Sequence, residues 1–165
     1  MLAAGTDENT KTNLELYTKA ELLEKPLGEG SVTLVLETEE SANGRNARKY
    51  AEINGYAQAH RPVSYDNSEV DSKAVVEVIE KACVNAGIEA DNIDFVCCDD
   101  RKIIKTLMPC YDVSQEIGNA RAAASAMTAA YAAELLSDSE KNYEYGLALS
   151  MGAGGTYSAV ILKKA

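Results

Sequence analysis

The sequence predicts an α/β domain in which a mixed sheet of about five strands lies between helices, one of them rich in alanine. Three observations support this prediction. Two strand segments have continuous apolar runs, which indicates burial on both faces. A helix, a short turn and a strand follow one another between 70 and 98, as in a crossover unit. The segment "GNARAAASAMTAAYAAELL" (118–136) has almost no charged residues that could form a solvent-exposed helix face.

The first two strands are separated by a polar link. "SVTLVLETEE" contains the apolar run from Val32 to Leu36, too apolar for a strand with one wet face. "SANGRNARK" follows as the link, and "YAEINGYAQA" reads as a second strand that bends or bulges at Gly55. Two strands joined in this way are either antiparallel neighbours or part of a crossing between sheets.

The middle of the chain alternates helix and strand. Apolar residues recur at helical spacing from Val70 to Ala86, and Gly87 supplies a stop. A third strand is predicted from about Ile93 to Cys98. The segment "DDRKIIKTLMPCYDV" is ambiguous, and its apolar residues suit a short helix that ends at Pro109.

The last third contains the alanine-rich helix and two further strands. Nine of the fourteen residues from Ala120 to Ala133 are alanine, so helical propensity is high and burial nearly all round is predicted. "YEYGLALS" and "TYSAVILKK" flank "MGAGG", which predicts a terminal hairpin with a loop wider than two residues.

The composition excludes several classes of function. A chain of 165 residues suits one domain, and its net charge of −10 disfavours binding to nucleic acid or to anionic lipid. No apolar run approaches the ~20 residues of a membrane span, and no secretory signal is evident, so we expect a cytoplasmic protein. Cys83, Cys97, Cys98 and Cys110 lack CxxC spacing and suit reduced core thiols, so neither a metal nor another cofactor is expected.

Four segments together resemble a known family. "PLGEGSVTLVLETEESANGRNARKYAEINGYAQA", "AGIEADNIDFV", "GNARAAASAMTAAYAAELL" and "SMGAGGTYSAVILKK" are similar, in this order, to the C-terminal portion of β-ketoacyl-acyl-carrier-protein synthases. The resemblance implies the C-terminal half of a thiolase-like fold, with the alanine-rich helix in a central layer between sheets. It also implies that residues 1–165 form one such C-terminal domain, of which 1–40 resemble the end of the family's N-terminal half.

The resemblance implies that the family's catalytic groups are absent or replaced. The cysteine nucleophile belongs to the missing N-terminal half. The first catalytic histidine, in "HGTST", follows the strand that corresponds to "IDFVCC", where this chain has Cys98 and Asp99. At the lysine and the second histidine of the "K...GH...GAA" pattern stand Ser114 and Asn119. A carboxylate repels a forming enolate, and asparagine is not a proton shuttle at neutral pH.

Two further features lie outside those positions. The family's "GFGGTN" loop beside the acyl pocket appears as Gly152, Ala153, Gly154, Gly155 and Thr156, and the alanine replaces a phenylalanine that often acts as a gate. A simple hairpin turn explains these glycines nearly as well. The single histidine, His60, matches no family catalytic position and reads as a surface loop residue.

The preferred interpretation is a non-catalytic ketosynthase-like domain or subunit of fatty-acid or polyketide biosynthesis, similar to chain-length factors. It would pair with an active ketosynthase or with an N-terminal half, as a homo- or hetero-dimer, and would shape the acyl pocket. One alternative is part of an active β-ketoacyl synthase, joined to its missing half and using Asn119 and Asp99. Another is a partner-binding module that retains only the fold. Because the chain is acidic, acyl-carrier protein is expected to dock mainly on the partner.

Overall fold

The computed structural model describes residues 1–19, 26–62, 70–152 and 154–165. The strands are β1 (Leu2–Asp7), β2 (Gly30–Val35), β3 (Glu52–His60), β4 (Phe95–Cys98), β5 (Cys110–Asp112), β6 (Tyr145–Gly152) and β7 (Thr156–Lys163). The helices are α1 (Lys11–Lys19), α2 (Glu39–Gly44), α3 (Ser72–Ala86), α4 (Val113–Ile117) and α5 (Ala124–Ser137). β1 and β2 pair with each other, and the other strands form a second, larger sheet.

The larger sheet has five strands in the order β3-β7-β6-β4-β5. β4 runs parallel to β5 and to β6, whereas β7 runs antiparallel to β6 and to β3. The sheet is therefore mixed, which confirms the fold class. The antiparallel pairing of β6 with β7 also confirms the terminal hairpin predicted from the sequence.

The irregularity predicted at Gly55 is present. The register of β3 against β7 shifts between Ile53 and Gly55. A Cβ atom at Gly55 would lie 2.6 Å from the Ala82 carbonyl oxygen and 2.6 Å from the Ala86 nitrogen, so α3 packs directly on the backbone of β3 here. Because β2 and β3 lie in different sheets, the segment between them is the predicted crossing rather than a hairpin.

Helices cover both faces of the five-stranded sheet. On one face α3 begins at Asp71, whose carboxylate caps its first turn, and buries Val78 and Ala82 in a cluster shared with the sheet. On the other face α5 contributes Leu135 and Leu136 to a second cluster. The sheet therefore lies between helical layers, as the apolar strands predicted.

The alanine-rich helix α5 lies between the five-stranded sheet and the β1–β2 sheet. A Cβ atom at Gly5 of β1 would lie 2.8 Å from the Ala126 Cβ atom, so small side chains allow β1 and α5 to approach closely. Burial is on two sides rather than all round, since Tyr131 is 37% exposed. The helix also begins later than predicted, at Ala124, after a 3₁₀ turn at Arg121–Ala123.

The prediction that β2 is buried on both faces is wrong for the described chain. Burial alternates along β2, and Val35 at its end is 65% exposed. The reason is that β2 pairs only with β1 and packs on α5 from one side. β2 therefore has more apolar side chains than the described part of the chain buries.

Two polar segments differ from the sequence prediction. The link after β2 contains the short helix α2, whose first turn is capped by the Thr38 hydroxyl accepting from the Ser41 amide. The predicted short helix before Pro109 is only a 3₁₀ turn at Arg101–Ile103, and the strand β5 follows Pro109. α1 is a further helix that the sequence analysis missed, and it has no buried residue.

Candidate functional site

Three strands end side by side at one edge of the five-stranded sheet. β4, β5 and β6 are parallel, and Cys98 is in register with Asp112 on β5 and with Leu149 on β6. The residues that follow these strands therefore share this edge. They are Asp99, helix α4 and the segment 152–156, which we call the glycine loop. The carboxyl ends of parallel strands are the usual place for ligand sites in α/β sheets.

Asp99 contacts the backbone where β6 approaches the glycine loop. The Met151 amide donates to the Asp99 carboxylate, at 3.3 Å and 3.4 Å from the two oxygens. Burial is the main cause that raises the pKa of Asp99, to about 7, and the charges of Asp100 and Asp112 add to it. The hydrogen bond from Met151 acts in the opposite direction. Asp99 is thus poised between its charged and neutral forms near neutral pH.

The neighbouring cysteines are buried thiols on opposite faces of β4. Cys97 packs in the cluster under α5, whereas the Cys98 sulfur lies 3.8 Å from the sulfur of Cys110, which packs on the α3 side. Burial raises the pKa of Cys97 to about 12 and also raises the pKa of Cys98, which the nearby Cys110 raises further. Since the thiolate is the nucleophile, these side chains are poor nucleophiles at neutral pH.

Ser114 lies in the first turn of α4 and is buried. Its amide and its hydroxyl both donate to the Asp112 carboxylate, at 3.0 Å and 2.5 Å. Asp112 is the N-cap of this helix, so the contacts belong to a helix start. The Ser114 hydroxyl, at the position where the resemblance predicts a lysine of the family, is thus part of the helix cap.

Asn119 follows α4 and is tied to the segment before β2. Its backbone amide donates to the Pro26 carbonyl at 2.8 Å, and its carbonyl accepts from the Gly28 amide at 3.0 Å. Its side-chain oxygen accepts from the Arg121 amide at 3.0 Å. Asn119 is therefore hydrogen-bonded to the 26–28 segment, whereas Asp99 is hydrogen-bonded to the end of β6.

Gly154 and Gly155 of the glycine loop lie in a turn directly before β7. Gly154 and Gly155 have φ angles of 84° and 88°, which only glycine adopts easily. The Gly155 amide donates to the Gly152 carbonyl at 3.2 Å. Ala153, the predicted open gate, lies outside the described residues, so its side chain stays a prediction.

His60 lies next to this loop, which the sequence analysis missed. It is the last residue of β3 rather than a loop residue, and it is in register with Thr156 at the start of β7. Its Nδ1 atom lies 3.0 Å from the Thr156 hydroxyl. The position could not be read from the sequence, because it depends on the pairing of β3 with the last strand of the chain.

Arg121 is a second residue whose role sequence reasoning missed. Its guanidinium forms an ion pair with Asp7 at the end of β1, and both side chains are largely buried, with exposures of 11% and 13%. It also donates to the Asn9 side-chain oxygen at 2.9 Å and to the Glu8 carbonyl at 3.0 Å. These contacts join the β1–β2 sheet to the start of α5.

No cluster of three or more potential metal-ligating side chains occurs in 1–19, 26–62, 70–152 or 154–165. Within the same ranges, none of the helices combines the length and the apolar character that a bilayer crossing requires.

Comparison with known sequences finds relatives over part of the chain, although no protein-family model matches. Over 70 residues the chain is 36% identical to a Schizosaccharomyces pombe protein assigned as a mitochondrial 3-oxoacyl-[acyl-carrier-protein] synthase. It is also 36% identical over 70 residues to an oxytetracycline polyketide β-ketoacyl synthase of Streptomyces rimosus. Each match covers 42% of this chain and 16% of the relative.

Comparison with solved structures extends over the whole chain. A β-ketoacyl synthase from Burkholderia phymatum superposes with a TM-score of 0.84 at 20% identity, covering 100% of this chain and 54% of that one. The ishigamide ketosynthase/chain length factor gives 0.81 at 20% identity, covering 99% and 53%. A ketosynthase in complex with a type II polyketide acyl-carrier protein gives 0.81 at 17% identity, covering 99% and 56%. The chain thus has the fold of the C-terminal half of the β-ketoacyl synthases, spans about half the length of these structures, and is similar to members of that family in sequence.

Proposed function

We propose that this chain is a non-catalytic ketosynthase-like domain or subunit that helps to form the acyl pocket of a fatty-acid or polyketide synthase. The observation that carries the proposal concerns Asp99, Ser114 and Asn119, which replace the family's histidine, lysine and histidine. Each of the three is hydrogen-bonded to a nearby group of this chain, at Met151, Asp112 and Arg121 respectively.

The chemistry at position 99 favours this role. Decarboxylation of a malonyl unit generates an enolate, which a ketosynthase stabilises with hydrogen-bond donors. An ionised carboxylate at this place offers only acceptors and repels negative charge. Asn119 donates a hydrogen bond but does not shuttle protons at neutral pH. The chain's contribution is therefore to shape the pocket.

The exposed apolar surface supports a partner. The β1–β2 sheet is separate from the larger sheet, and the cross-strand partners Leu2 and Val35 at one of its ends are 70% and 65% exposed. Residues 1–40 correspond, in our proposal, to the end of the family's first half. A ketosynthase partner or an N-terminal half would cover this surface, in a homo- or hetero-dimer.

The relatives suggest the kind of assembly. One solved neighbour is a ketosynthase/chain length factor, and another is a ketosynthase in complex with its acyl-carrier protein. By analogy the glycine loop would border the acyl pocket, where Ala153 leaves more room than a phenylalanine would. With a net charge of −10 this chain would leave carrier-protein docking mainly to the partner. The free thiols suit the reducing cytoplasm, where we place the protein.

Reconstitution with a ketosynthase tests the proposal. The chain is mixed with candidate ketosynthases, and complex formation is measured by light scattering, alongside malonyl decarboxylation and product length. We expect a complex in which Ser114→Ala and Asn119→Ala change decarboxylation by no more than about twofold, because general acid–base groups contribute roughly a hundredfold or more. Loss of decarboxylation in either variant, with the complex intact, would contradict a non-catalytic role.

A second candidate function is favoured by one observation. Because the pKa of Asp99 is raised to about 7, a substantial fraction of this carboxyl is neutral at physiological pH and has a proton to donate. Joined to its missing half, the chain would then be part of an active β-ketoacyl synthase that uses Asp99 in place of histidine. In that case Asp99→Asn lowers decarboxylation about a hundredfold or more, whereas the preferred function predicts little change.

A further inference from the structure

We propose that His60 is a positioning residue that fixes the β7 end of the glycine loop, together with the Thr156 hydroxyl and the Arg61 backbone. We call these contacts the loop clasp. These contacts do not depend on the proposed function. Only the effect of the clasp on an acyl pocket rests on that function.

The clasp consists of two contacts on either side of one peptide unit. The His60 Nδ1 atom lies 3.0 Å from the Thr156 hydroxyl, and the Arg61 amide donates to the Gly155 carbonyl at 2.9 Å. His60 is the last residue of β3 and is in register with Thr156 at the start of β7, and Arg61 follows it directly. His60 and Arg61 therefore hold Thr156 and Gly155, respectively, at the same time.

External contacts matter here because two consecutive glycines leave this part of the backbone with many accessible conformations. Gly154 and Gly155 adopt positive φ angles, and glycine moves between conformational regions at low cost. Within the described part of the loop, the Gly155 amide donates to the Gly152 carbonyl at 3.2 Å. Hydrogen bonds from His60 and Arg61 to two consecutive residues add further restraints to this glycine-rich backbone.

The clasp is braced by helix α3. The Arg61 guanidinium forms an ion pair with Glu77 of α3 and also donates to the His60 carbonyl at 3.2 Å. Glu77 in turn accepts from Lys81 one helical turn further on, at 2.6 Å. Although exposed ion pairs contribute little stability, this set connects the loop to a fifteen-residue helix rather than to another loop.

The chain contains a matched control for the clasp. One step further from the loop on the same strands and the same face, the Gln58 side-chain amide donates to the Ser158 hydroxyl at 3.4 Å. Gln58 is exposed, as His60 is, and Ser158 is half-buried, as Thr156 is. Each pair joins directly opposite residues of β3 and β7. Loss of the contact between Gln58 and Ser158 should leave the loop unchanged.

Hydrogen exchange of the loop amides tests the proposal in the purified chain. His60→Leu and Thr156→Val should each speed exchange between residues 154 and 156 about three- to tenfold, as expected for one lost hydrogen bond. His60→Asn places an amide near the Nδ1 position and should restore protection, while Gln58→Leu should leave these amides unchanged. Unchanged exchange in His60→Leu, or a uniform rise along all of β7, would overturn the proposal.

A functional measurement separates the clasp from the proposed function. In a complex with an active ketosynthase, His60→Leu should broaden the distribution of product chain lengths, and His60→Asn should restore it. An unaltered distribution alongside faster loop exchange would overturn the pocket role of the clasp. If the chain formed no ketosynthase complex while the exchange results held, the proposed function would fail and the clasp itself would stand.

Discussion

The pKa of Asp99 makes a specific prediction about how stability depends on pH. In the folded chain this pKa is about 7, above its ordinary value of 3.8. Between these pH values the folded chain keeps a proton that the unfolded chain has released. The free energy of unfolding contributed by Asp99 is therefore highest at low pH and is lost as the pH rises through about 7.

The size of the effect follows from the two pKa values. Between pH 5 and pH 8 the loss amounts to about 3 kcal/mol, a ceiling because the carboxyl is only partly buried. Asp7, Glu37 and Glu77 have lowered pKa values, so the stability they add is lost only at more acidic pH. The window from pH 5 to pH 8 thus isolates Asp99 from these carboxyls.

Urea denaturation of Asp99→Asn provides the measurement. Asparagine keeps an oxygen for the Met151 amide but does not titrate, so the variant should lack the decline in unfolding free energy between pH 5 and pH 8. Asp91→Asn, at an exposed carboxyl of the same residue type, should follow the parent chain. Parallel pH curves for the parent chain and Asp99→Asn would refute the assignment of a raised pKa to this site.

Three further substitutions test the packing by urea denaturation. Asp7→Asn leaves the largely buried Arg121 without its ionic partner and should cost about 3 kcal/mol; a loss below about 1 kcal/mol would mean that the pair does not join β1 to α5. Leu136→Ala removes a fully buried side chain between α5 and the sheet and should cost about 2–5 kcal/mol, so an unchanged midpoint would contradict the packing of α5. Gly28→Ala would place a Cβ atom 2.0 Å from the Ile117 carbonyl oxygen and should cost at least about 1–3 kcal/mol, whereas parent-like stability would show that these two segments lie further apart.

The sequence predicted four strands of the five-stranded sheet because their signals are local. The apolar run before Asp99, the helical spacing that ends at Gly87 and the hairpin around the glycine loop each need only a short window of residues. The short elements were not predicted because they lack such local signals. β5 has three residues, none of them fully buried, so its pairing with β4 has no local signature.

The candidate site could be predicted only in part, since its contacts join residues far apart in the chain. The resemblance placed Asp99, Ser114 and Asn119 at family positions, but their hydrogen-bond partners depend on the sheet register. His60 illustrates the limit most clearly, because it lies 96 residues before its partner Thr156. No periodicity connects positions at such a separation.

The environment of position 99 supports the structural role that we propose for this residue. Burial raises the pKa of this carboxyl, which means that its charged form is poorly solvated and gains from any amide that approaches it. The Met151 amide does so at the point where β6 enters the glycine loop. If position 99 borders the acyl pocket, as we propose, the enolate of a condensation reaction would bring a second negative charge to the same poorly solvated place. The physical setting that makes Asp99 a suitable acceptor for the Met151 amide therefore makes its ionised form unsuitable as a stabiliser of that enolate.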